Sequence, residues 1–342
     1  SHLQNVQVTG GTGMKAAIIS KPGDISVQEM EMPKITSPTQ VLVRVKLTGI
    51  CGSDVHIYKG ENPFATYPRV FGHEFTGEVV EIGSGVTTLK PGDHVVGEPI
   101  VSCGTCYACR NHRPNVCAKL QVMGVHIEGG CREYVLLEEA KAHKIAADIP
   151  WHCAVLTEPM TIGLQATSRG ALQTGDMVLI MGSGTIGLCC LLAAKAKGAT
   201  CIMTDIVPKK LEYAKKMGAD YVIDVTKKNL ATEVQAITGG MGPNVSLEQA
   251  VDMVSVAGRV VELGFGPIKS EIPHAVIMKK EVTLAGTRLE AFQFPNAVAL
   301  VEKNAALLED FVTQHYGIAD VAQAFAFATE HPEKVRKIVV EL

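Results

Sequence analysis

The fold is decided by residues 177–205, MVLIMGSGTIGLCCLLAAKAKGATCIMTD. An apolar run leads into a glycine turn, then into small and apolar residues over a helical length, and then into a second apolar run. This order predicts strand, turn, helix and strand, which make one parallel β-α-β unit. The run from Met177 to Ala194 nearly has the length of a membrane span, but glycines interrupt it. We therefore predict a buried strand and helix and no transmembrane segment.

The glycine turn has the spacing of a dinucleotide-binding motif. Gly182, Gly184 and Gly187 form G-x-G-x-x-G directly between the predicted strand and helix, the context in which this motif is specific. Glycines permit a tight turn and let a pyrophosphate approach the helix N-terminus, where backbone amides stabilise negative charge. The sequence therefore predicts a dinucleotide cofactor.

Asp205 ends the second strand of this unit. A carboxylate there accepts the ribose hydroxyls and repels a 2′-phosphate, which favours NAD over NADP. Lys209 and Lys210 weaken this prediction because they attract a phosphate, although Lys209 also suits a solvated helix start.

A polar segment upstream carries four cysteines at metal-ligand spacing, C-x2-C-x2-C-x7-C: Cys103, Cys106, Cys109 and Cys117. Four thiolates at this spacing converge tetrahedrally on one zinc ion and close its coordination sphere. A disulfide pair or four thiols without a role is the alternative, but a short repeated spacing in a chain without a recognisable secretory signal favours metal. We predict a structural zinc site.

A second metal constellation precedes the quartet. Cys51 lies in GICGSDVH, and His73 and Glu74 follow a proline-bearing loop. A thiolate, an imidazole and a carboxylate leave one position open, which lets zinc act as a Lewis acid on an alcohol or carbonyl oxygen. Asp54 is the expected partner that fixes the tautomer of His73. Glu158 either occupies the fourth zinc position, in exchange with water, or is a helix-capping or solvated glutamate.

Ser53 and His56 share a turn with Cys51. Zinc lowers the pKa of a bound alcohol, and the released proton needs donor and acceptor groups to reach solvent. His56 titrates in the required range, so we predict that these two residues form a proton relay; a surface histidine without a role is the alternative.

Composition narrows the function class. Apolar residues make up 46% and charged residues 20% of the chain, and the formal net charge is −3 without a long basic run. Nucleic acid and membrane are therefore not expected partners. The cysteines outside the metal sites lie mostly among apolar residues and are predicted to be core residues in a reducing cytoplasm: Cys131, Cys153, Cys189, Cys190 and Cys201.

The chain is too long for one ordinary core, so two domains are expected. Residues 1–13 are interpreted as a cloning remnant. Residues 14–153 are turn-rich and strand-like, whereas residues 154–288 alternate strands and helices. Residues 289–342 are helical before a closing strand, KIVVEL, which is expected to return to the first domain. We therefore assign residues 14–153 and 289–342 to the first domain and residues 154–288 to the cofactor domain. The predicted class is α/β, with a mostly β domain and a doubly wound parallel sheet.

From Met14 the chain resembles the zinc-dependent medium-chain alcohol and polyol dehydrogenases, through GICGSDVH, GHEFTGEVVEIGSGV, the cysteine quartet, LTEP and GSGTIG in order. HIYKGENPF, YPRVFGHE and GVHIEGGCREY make it most similar to the sorbitol, threonine and sugar-acid 5-dehydrogenase branch. The resemblance implies a GroES-like catalytic domain, a Rossmann domain, two zinc ions per chain and NAD. It also implies cofactor contacts at Ile186, Asp205, Lys210, Leu263, Gly264, Phe265 and Thr287.

One departure from the family lies after the helix that ends near Gly240. There the chain runs GPNV directly into the helix SLEQAVDMV, where the family has a strand and a glycine-bearing loop. A parallel sheet needs a strand after each crossover helix. Residues are therefore expected to be missing between about Val245 and Ser246, either deleted from the protein or absent from this version of its sequence.

The predicted reaction is hydride transfer from a secondary alcohol of a polyol or sugar acid to NAD, of the 5-dehydrogenase type, in a cleft between the domains. Lys59, Arg69 and Arg288 are candidate partners of a substrate carboxylate, with ordinary surface or structural pairing as the alternative. Threonine 3-dehydrogenase and a non-catalytic zinc- and nucleotide-binding sensor are the alternative functions. A homo-oligomer, dimer or tetramer, is expected.

Overall fold

A computed structural model describes residues 13–238, 247–264, 269–272 and 274–342. Its packing divides the chain into two compact units. The first comprises Ser1–Ser102, Lys119–Glu158 and Leu308–Leu342, and the second comprises Cys103–Ala118 and Pro159–Leu307. The quartet segment and residues 289–307 thus group with the second unit, whereas the sequence-based division assigned both to the first domain.

The strands, in chain order, are β1 (Gly13–Lys21), β2 (Asp24–Glu31), β3 (Gln40–Ile50), β4 (Arg69–Val70), β5 (Glu74–Ile82), β6 (His94–Gly97), β7 (Ile100–Val101), β8 (Gln121–Val122), β9 (Tyr134–Glu138), β10 (Ala142–Lys144), β11 (Met177–Met181), β12 (Thr200–Asp205), β13 (Tyr221–Asp224), β14 (Arg259–Glu262), β15 (Thr283–Gly286), β16 (Gln314–Gly317) and β17 (Ile338–Glu341).

The α-helices are α1 (Gly52–Lys59), α2 (Tyr107–Arg110), α3 (Trp151–Ala154), α4 (Thr157–Arg169), α5 (Thr185–Ala196), α6 (Pro208–Lys216), α7 (Leu230–Thr238), α8 (Leu247–Met253), α9 (His274–Lys280), α10 (Phe294–Leu308) and α11 (Val321–Glu330). Short 3-10 helices cover Pro114–Val116, Glu139–Lys141, Ile318–Asp320 and Pro332–Lys334. Strands dominate before residue 150 and helices alternate with strands after it, as predicted for the α/β class. No helix in the described ranges combines the length and the apolarity that crossing a bilayer requires.

The long strand β3 organises the first unit. It pairs antiparallel with β5, β9 and β17 in a sheet of order β10-β6-β5-β3-β17-β16. Val41, Val43 and Val45 alternate along it and pack into a core with Phe75 and Val79, because every second residue of a strand faces the same side. The pairing of β17 with β3 confirms that the closing strand returns to the first part of the chain.

The second unit contains the predicted β-α-β arrangement. Strands β11, β12 and β13 pair in parallel in that order, and α5 crosses over between the first two. The helix is apolar on most of its circumference, and its residues from Leu188 to Ala194 are buried. A helix that is apolar all round belongs in a protein interior, so the predicted buried helix is confirmed. The predicted burial of the strand is not: only Ile180 of β11 is buried.

Strands β14 and β15 form a separate parallel pair. Among the described residues no ladder joins this pair to β11, whose second edge lacks a partner strand there. Met177 and Met181 on β11 and Leu284 on β15 are exposed, although strands of parallel sheets are normally covered on both faces. The junction of Val245 and Ser246, where a missing segment was predicted, lies outside the described residues.

Candidate active site and metal centres

Strand register brings the second metal constellation together at one end of three neighbouring strands. Glu74 opens β5 directly opposite Gly49 near the end of β3, and Ile338 opens β17 opposite Ile50. Cys51 follows β3 at once, so it lies beside the residues that open β5. A Cβ at position 49 would lie 2.1 Å from Glu74 Oε2, which shows why a glycine precedes the cysteine: it leaves room for the carboxylate.

Cys51, His73 and Glu74 place one ligand atom each within 4.8 Å of one another. His73 Nδ1 lies 3.4 Å from Asp54 Oδ1, while Asp54 Oδ2 accepts a hydrogen bond from the Cys51 amide at 2.8 Å. Burial lowers the pKa of His73, but the Asp54 carboxylate and the Cys51 side chain raise it more, so the net pKa lies well above its usual value. Because Nδ1 of His73 faces the Asp54 carboxylate, Nε2 is the ring nitrogen that is left for an ion.

Lys337, which the sequence analysis did not select, is part of this site. Its Nζ donates to both carboxylate oxygens of Glu74 at 2.7 Å, and the side chains are 3% and 1% exposed respectively. Burial lowers the pKa of Lys337, but the charges of Glu74, Cys51 and Glu158 outweigh burial and raise it. The sequence signal that could have identified Lys337 is its position directly before an apolar strand, IVV, because lysine is rarely buried unless it is paired.

The sulfur atoms of the quartet are separated by 3.4–3.8 Å along three of their edges: Cys103–Cys117, Cys106–Cys109 and Cys106–Cys117. Tetrahedral zinc with Zn–S bonds of about 2.3 Å separates its sulfurs by about 3.8 Å, whereas a disulfide needs about 2.05 Å. Backbone amides of Thr105 and Cys106 donate to Cys103 and lower its pKa to about 6. The arrangement therefore fits a zinc ion and excludes disulfides.

The glycine turn after β11 leaves its backbone accessible. Gly182 has φ of +100°, and a Cβ at Gly182 or Gly184 would meet nothing within 4 Å. A Cβ at Gly187 would lie 1.9 Å from the Gly182 carbonyl oxygen, so only glycine allows the turn to close. Helix α5 begins with Gly184 as its N-cap and without a side-chain cap, which leaves its first amides available to an anion.

Asp205 supports this turn from the end of β12. Its Oδ2 accepts from the Ser183 amide at 2.8 Å and its Oδ1 from the Val207 amide at 2.9 Å. A carboxylate has about four acceptor positions, so these two hydrogen bonds fix its orientation and leave capacity for ribose hydroxyls.

Comparison with known proteins agrees with this geometry. Residues 37–147 match the alcohol dehydrogenase GroES-like domain, and residues 185–303 match the zinc-binding dehydrogenase family. The chain belongs to the zinc-dependent alcohol dehydrogenases. It is 36% identical to an Escherichia coli CFT073 alcohol dehydrogenase whose crystal structure contains NADH, with a TM-score of 0.89 and coverage of 97% of this chain and 100% of that one.

Two curated relatives differ in substrate. L-threonine 3-dehydrogenase of Pyrococcus horikoshii is 38% identical over 80% of this chain and 82% of its own length. L-galactonate-5-dehydrogenase of Escherichia coli K12 is 31% identical over 91% and 94%. This alcohol dehydrogenase is thus an enzyme that uses zinc and a nicotinamide dinucleotide, and membership of the family favours catalysis over the sensor alternative.

The remaining predicted site residues of this dehydrogenase lie in different surroundings. Ser53 Oγ is 3.5 Å from His73 Nε2, whereas His56 is exposed and pairs its Nδ1 with Glu61 Oε2 at 2.7 Å. Glu158 is buried and close enough to raise the pKa of Lys337, but it is not in the set whose ligand atoms lie within 4.8 Å of one another.

Of the cofactor contacts implied by resemblance, Ile186 lies in the first turn of α5 and Lys210 in α6. Thr287 follows β15 and hydrogen-bonds its amide to the Glu262 carbonyl at 3.0 Å, while its buried Oγ1 has no partner among the described residues. Leu263 and Gly264 are exposed after β14; Phe265 lies outside the described residues.

Proposed function

We propose that this enzyme oxidises a secondary hydroxyl of a polyol or sugar acid with NAD, in the manner of a 5-dehydrogenase. The observation that carries the proposal is the convergence of one thiol, one imidazole and one carboxylate, Cys51, His73 and Glu74, at the end of β3 and the start of β5. Three ligands leave a coordination position for the substrate oxygen.

A zinc ion held by these ligands supplies Lewis-acid polarisation, which lowers the pKa of the reacting hydroxyl. Asp54 faces Nδ1 of His73 at 3.4 Å without a hydrogen bond, and this arrangement would leave Nε2 for the ion. Lys337 fixes the Glu74 carboxylate from the side away from solvent. We assign to the buried Glu158 an exchangeable role at the fourth coordination position.

Proton removal is assigned to Ser53 and His56, which lie three residues apart on α1 and therefore on one face of that helix. Ser53 is half-buried beside His73, and His56 is in contact with solvent. The order from the half-buried Ser53 hydroxyl to the exposed His56 imidazole is the order that a proton would follow out of the site.

NAD is proposed as the cofactor because Asp205 is held rigidly at the end of β12, where its charge opposes a 2′-phosphate. The amides at the start of α5 would hold the pyrophosphate, and Gly182, Gly184 and Gly187 would give it room. Lys210, Ile186 and Thr287 are further proposed contacts.

Among the candidate partners for a substrate carboxylate, Arg69 is already engaged. Its guanidinium contacts Glu128 Oε1 at 2.7 Å and Thr66 Oγ1 at 2.6 Å, which is structural pairing. Lys59 is exposed at the end of α1 and remains a proposed contact, as does Arg288. Oxidation of threonine is a second candidate, favoured by the 38% identity to the threonine enzyme.

We also propose a cytoplasmic location, since four cysteines at metal-ligand spacing suit a reducing compartment. A homo-oligomer is proposed because closed homo-oligomers are the commonest assemblies of soluble proteins.

The test is NADH formation, followed by absorbance, with matched substrates. L-galactonate and galactitol differ in a carboxylate against a hydroxymethyl group, and L-threonine tests the second candidate. Turnover of either polyhydroxylated compound, lost in Glu74→Gln and retained in Arg44→Met, would support the proposal. A higher rate with threonine than with either polyhydroxylated compound, or equal rates in wild type and Glu74→Gln, would overturn the proposal.

A further inference from the structure

A third cluster of metal-binding side chains lies outside both sites described above. It consists of His152 and Cys153 in the short helix α3 and Glu309 directly after α10, and all three belong to the first unit. One ligand atom of each lies within 4.8 Å of the others. The cluster repeats the donor set of the candidate active site: one thiol, one imidazole and one carboxylate.

Two separations within the cluster are close to those between the ligands of a tetrahedral ion. His152 Nε2 lies 3.3 Å from Glu309 Oε1, and Cys153 Sγ lies 4.0 Å from Glu309 Oε2. With bonds of about 2.0–2.1 Å to nitrogen and oxygen and about 2.3 Å to sulfur, zinc separates nitrogen from oxygen by about 3.4 Å and sulfur from oxygen by about 3.6 Å. The edge from nitrogen to Oε1 already fits, and the edge from sulfur to Oε2 needs a closure of about 0.4 Å, so the two edges end on the two oxygens of one carboxylate.

The imidazole supplies an independent observation. His152 Nε2 is buried and makes no hydrogen bond within the described part of the chain, although the Glu309 carboxylate lies 3.3 Å away. Buried polar atoms normally have a partner. A cation between the ring and the carboxylate would satisfy both groups without requiring them to form a linear hydrogen bond.

The surroundings favour a cation. His315 packs its ring 6.2 Å from that of His152, centroid to centroid, and itself contacts Glu341 Oε1 at 3.4 Å. Two carboxylates therefore face the two rings, while Glu309 is 63% exposed on its side chain and gives an ion access from solvent. A thiolate and an imidazole select zinc-like transition ions over magnesium or calcium.

We propose that His152, Cys153 and Glu309 bind a third divalent transition-metal ion, with zinc as the expected occupant and water in its fourth position. Binding forms bonds from Nε2, Sγ and the Glu309 carboxylate to the ion and releases the thiol proton to solvent. The site is weaker than the cysteine quartet, because it has three protein ligands instead of four and one of them is exposed. The inference does not depend on the proposed reaction.

Metal counting tests the proposal. The full chain is dialysed against a series of buffered free-zinc concentrations, and bound zinc per chain is measured by elemental analysis. The wild-type protein is expected to bind a third equivalent after the first two. Glu309→Gln, a change at an exposed side chain that leaves the core intact, is expected to weaken this equivalent at least about tenfold, as is Cys153→Ala.

His331→Asn is the matched control, because His331 Nδ1 also lies near a carboxylate, 3.9 Å from Glu333 Oε1, but belongs to no group of three metal-binding side chains within the described residues. It should leave the third equivalent unchanged. A second readout is cobalt titrated into protein with both other sites zinc-filled: a thiolate-to-cobalt absorption band should appear in wild type and vanish in Cys153→Ala. Saturation of the wild type at two zinc ions, or a third ion that persists in both cluster variants, would overturn the proposal.

Discussion

Replacing Lys337 with methionine tests the most buried charge pair of the site. The Lys337 and Glu74 side chains are 3% and 1% exposed, with both carboxylate oxygens 2.7 Å from Nζ. Removing one partner of such a pair leaves a buried charge uncompensated, which costs about 3–5 kcal/mol. We expect zinc-free Lys337→Met to lose about that much stability, and its melting temperature to fall by at least about 6 °C.

Zinc changes this result in a defined direction. If Glu74 faces the ion, the ion neutralises the carboxylate in place of the ammonium group, and the destabilisation should fall to roughly half, about 2 kcal/mol. The zinc-free variant is thus destabilised by about 2 kcal/mol more than the zinc-loaded variant. By linkage, this difference equals the gain in zinc-binding free energy, so the variant should bind zinc about 30-fold more tightly than wild type.

The assay combines thermal unfolding of zinc-free and zinc-loaded protein with zinc competition against a chromophoric chelator. Arg44→Met is the control, because Arg44 pairs with Glu78 at 2.9 Å in the same sheet but is 44% exposed; exposed pairs contribute about 1 kcal/mol or less. Equal destabilisation by both substitutions, or unchanged or weaker zinc binding in Lys337→Met, would refute the reasoning.

Three further predictions concern the metal, the cofactor and the proton path. A mild chelator should remove zinc from the three-ligand site before the cysteine quartet and abolish activity while circular dichroism stays unchanged; equal loss of both ions would contradict this. Asp205→Ser should raise the kcat/KM ratio of NADP to NAD at least about tenfold, and a wild type that already prefers NADP would refute the assignment. His56→Ala should reduce kcat by about 10²-fold at low pH and less at alkaline pH, where hydroxide replaces the relay; loss of zinc from this variant would make His56 structural.

The sequence was sufficient to predict those parts of the candidate site whose residues are close together in the chain. The cysteine quartet and the glycine turn each occupy fewer than about twenty residues, and local geometry alone requires these residue types. The leftover cysteines are buried, as predicted. The α/β class followed from hydrophobic patterns of period 2 and 3.6.

Contacts between segments that are distant in the chain could not be predicted from the sequence. Lys337 reaches Glu74 across 263 positions through the register of β17 on β3, and the Cys153–Glu309 contact spans 156. Register is set by the packing of whole strands, so one sequence does not reveal which side chains meet. The quartet segment was assigned to the domain that precedes it, but Asn115 Nδ2 donates to the Arg288 carbonyl at 2.7 Å within the second unit.

The divided parallel sheet has a consequence for amide hydrogen exchange. Each strand with an unpaired edge directs every second backbone N–H away from its ladder, so β11 and β14 as described leave such amides without partners. In water these amides exchange at rates set by local opening and not by global unfolding. The amides of Leu179 and Met181 on β11 and of Val261 on β14 face away from the partner strands. Slow exchange at these three amides would therefore indicate a further strand that pairs with these edges. Fast exchange there would show that the protein works with a sheet in two pieces.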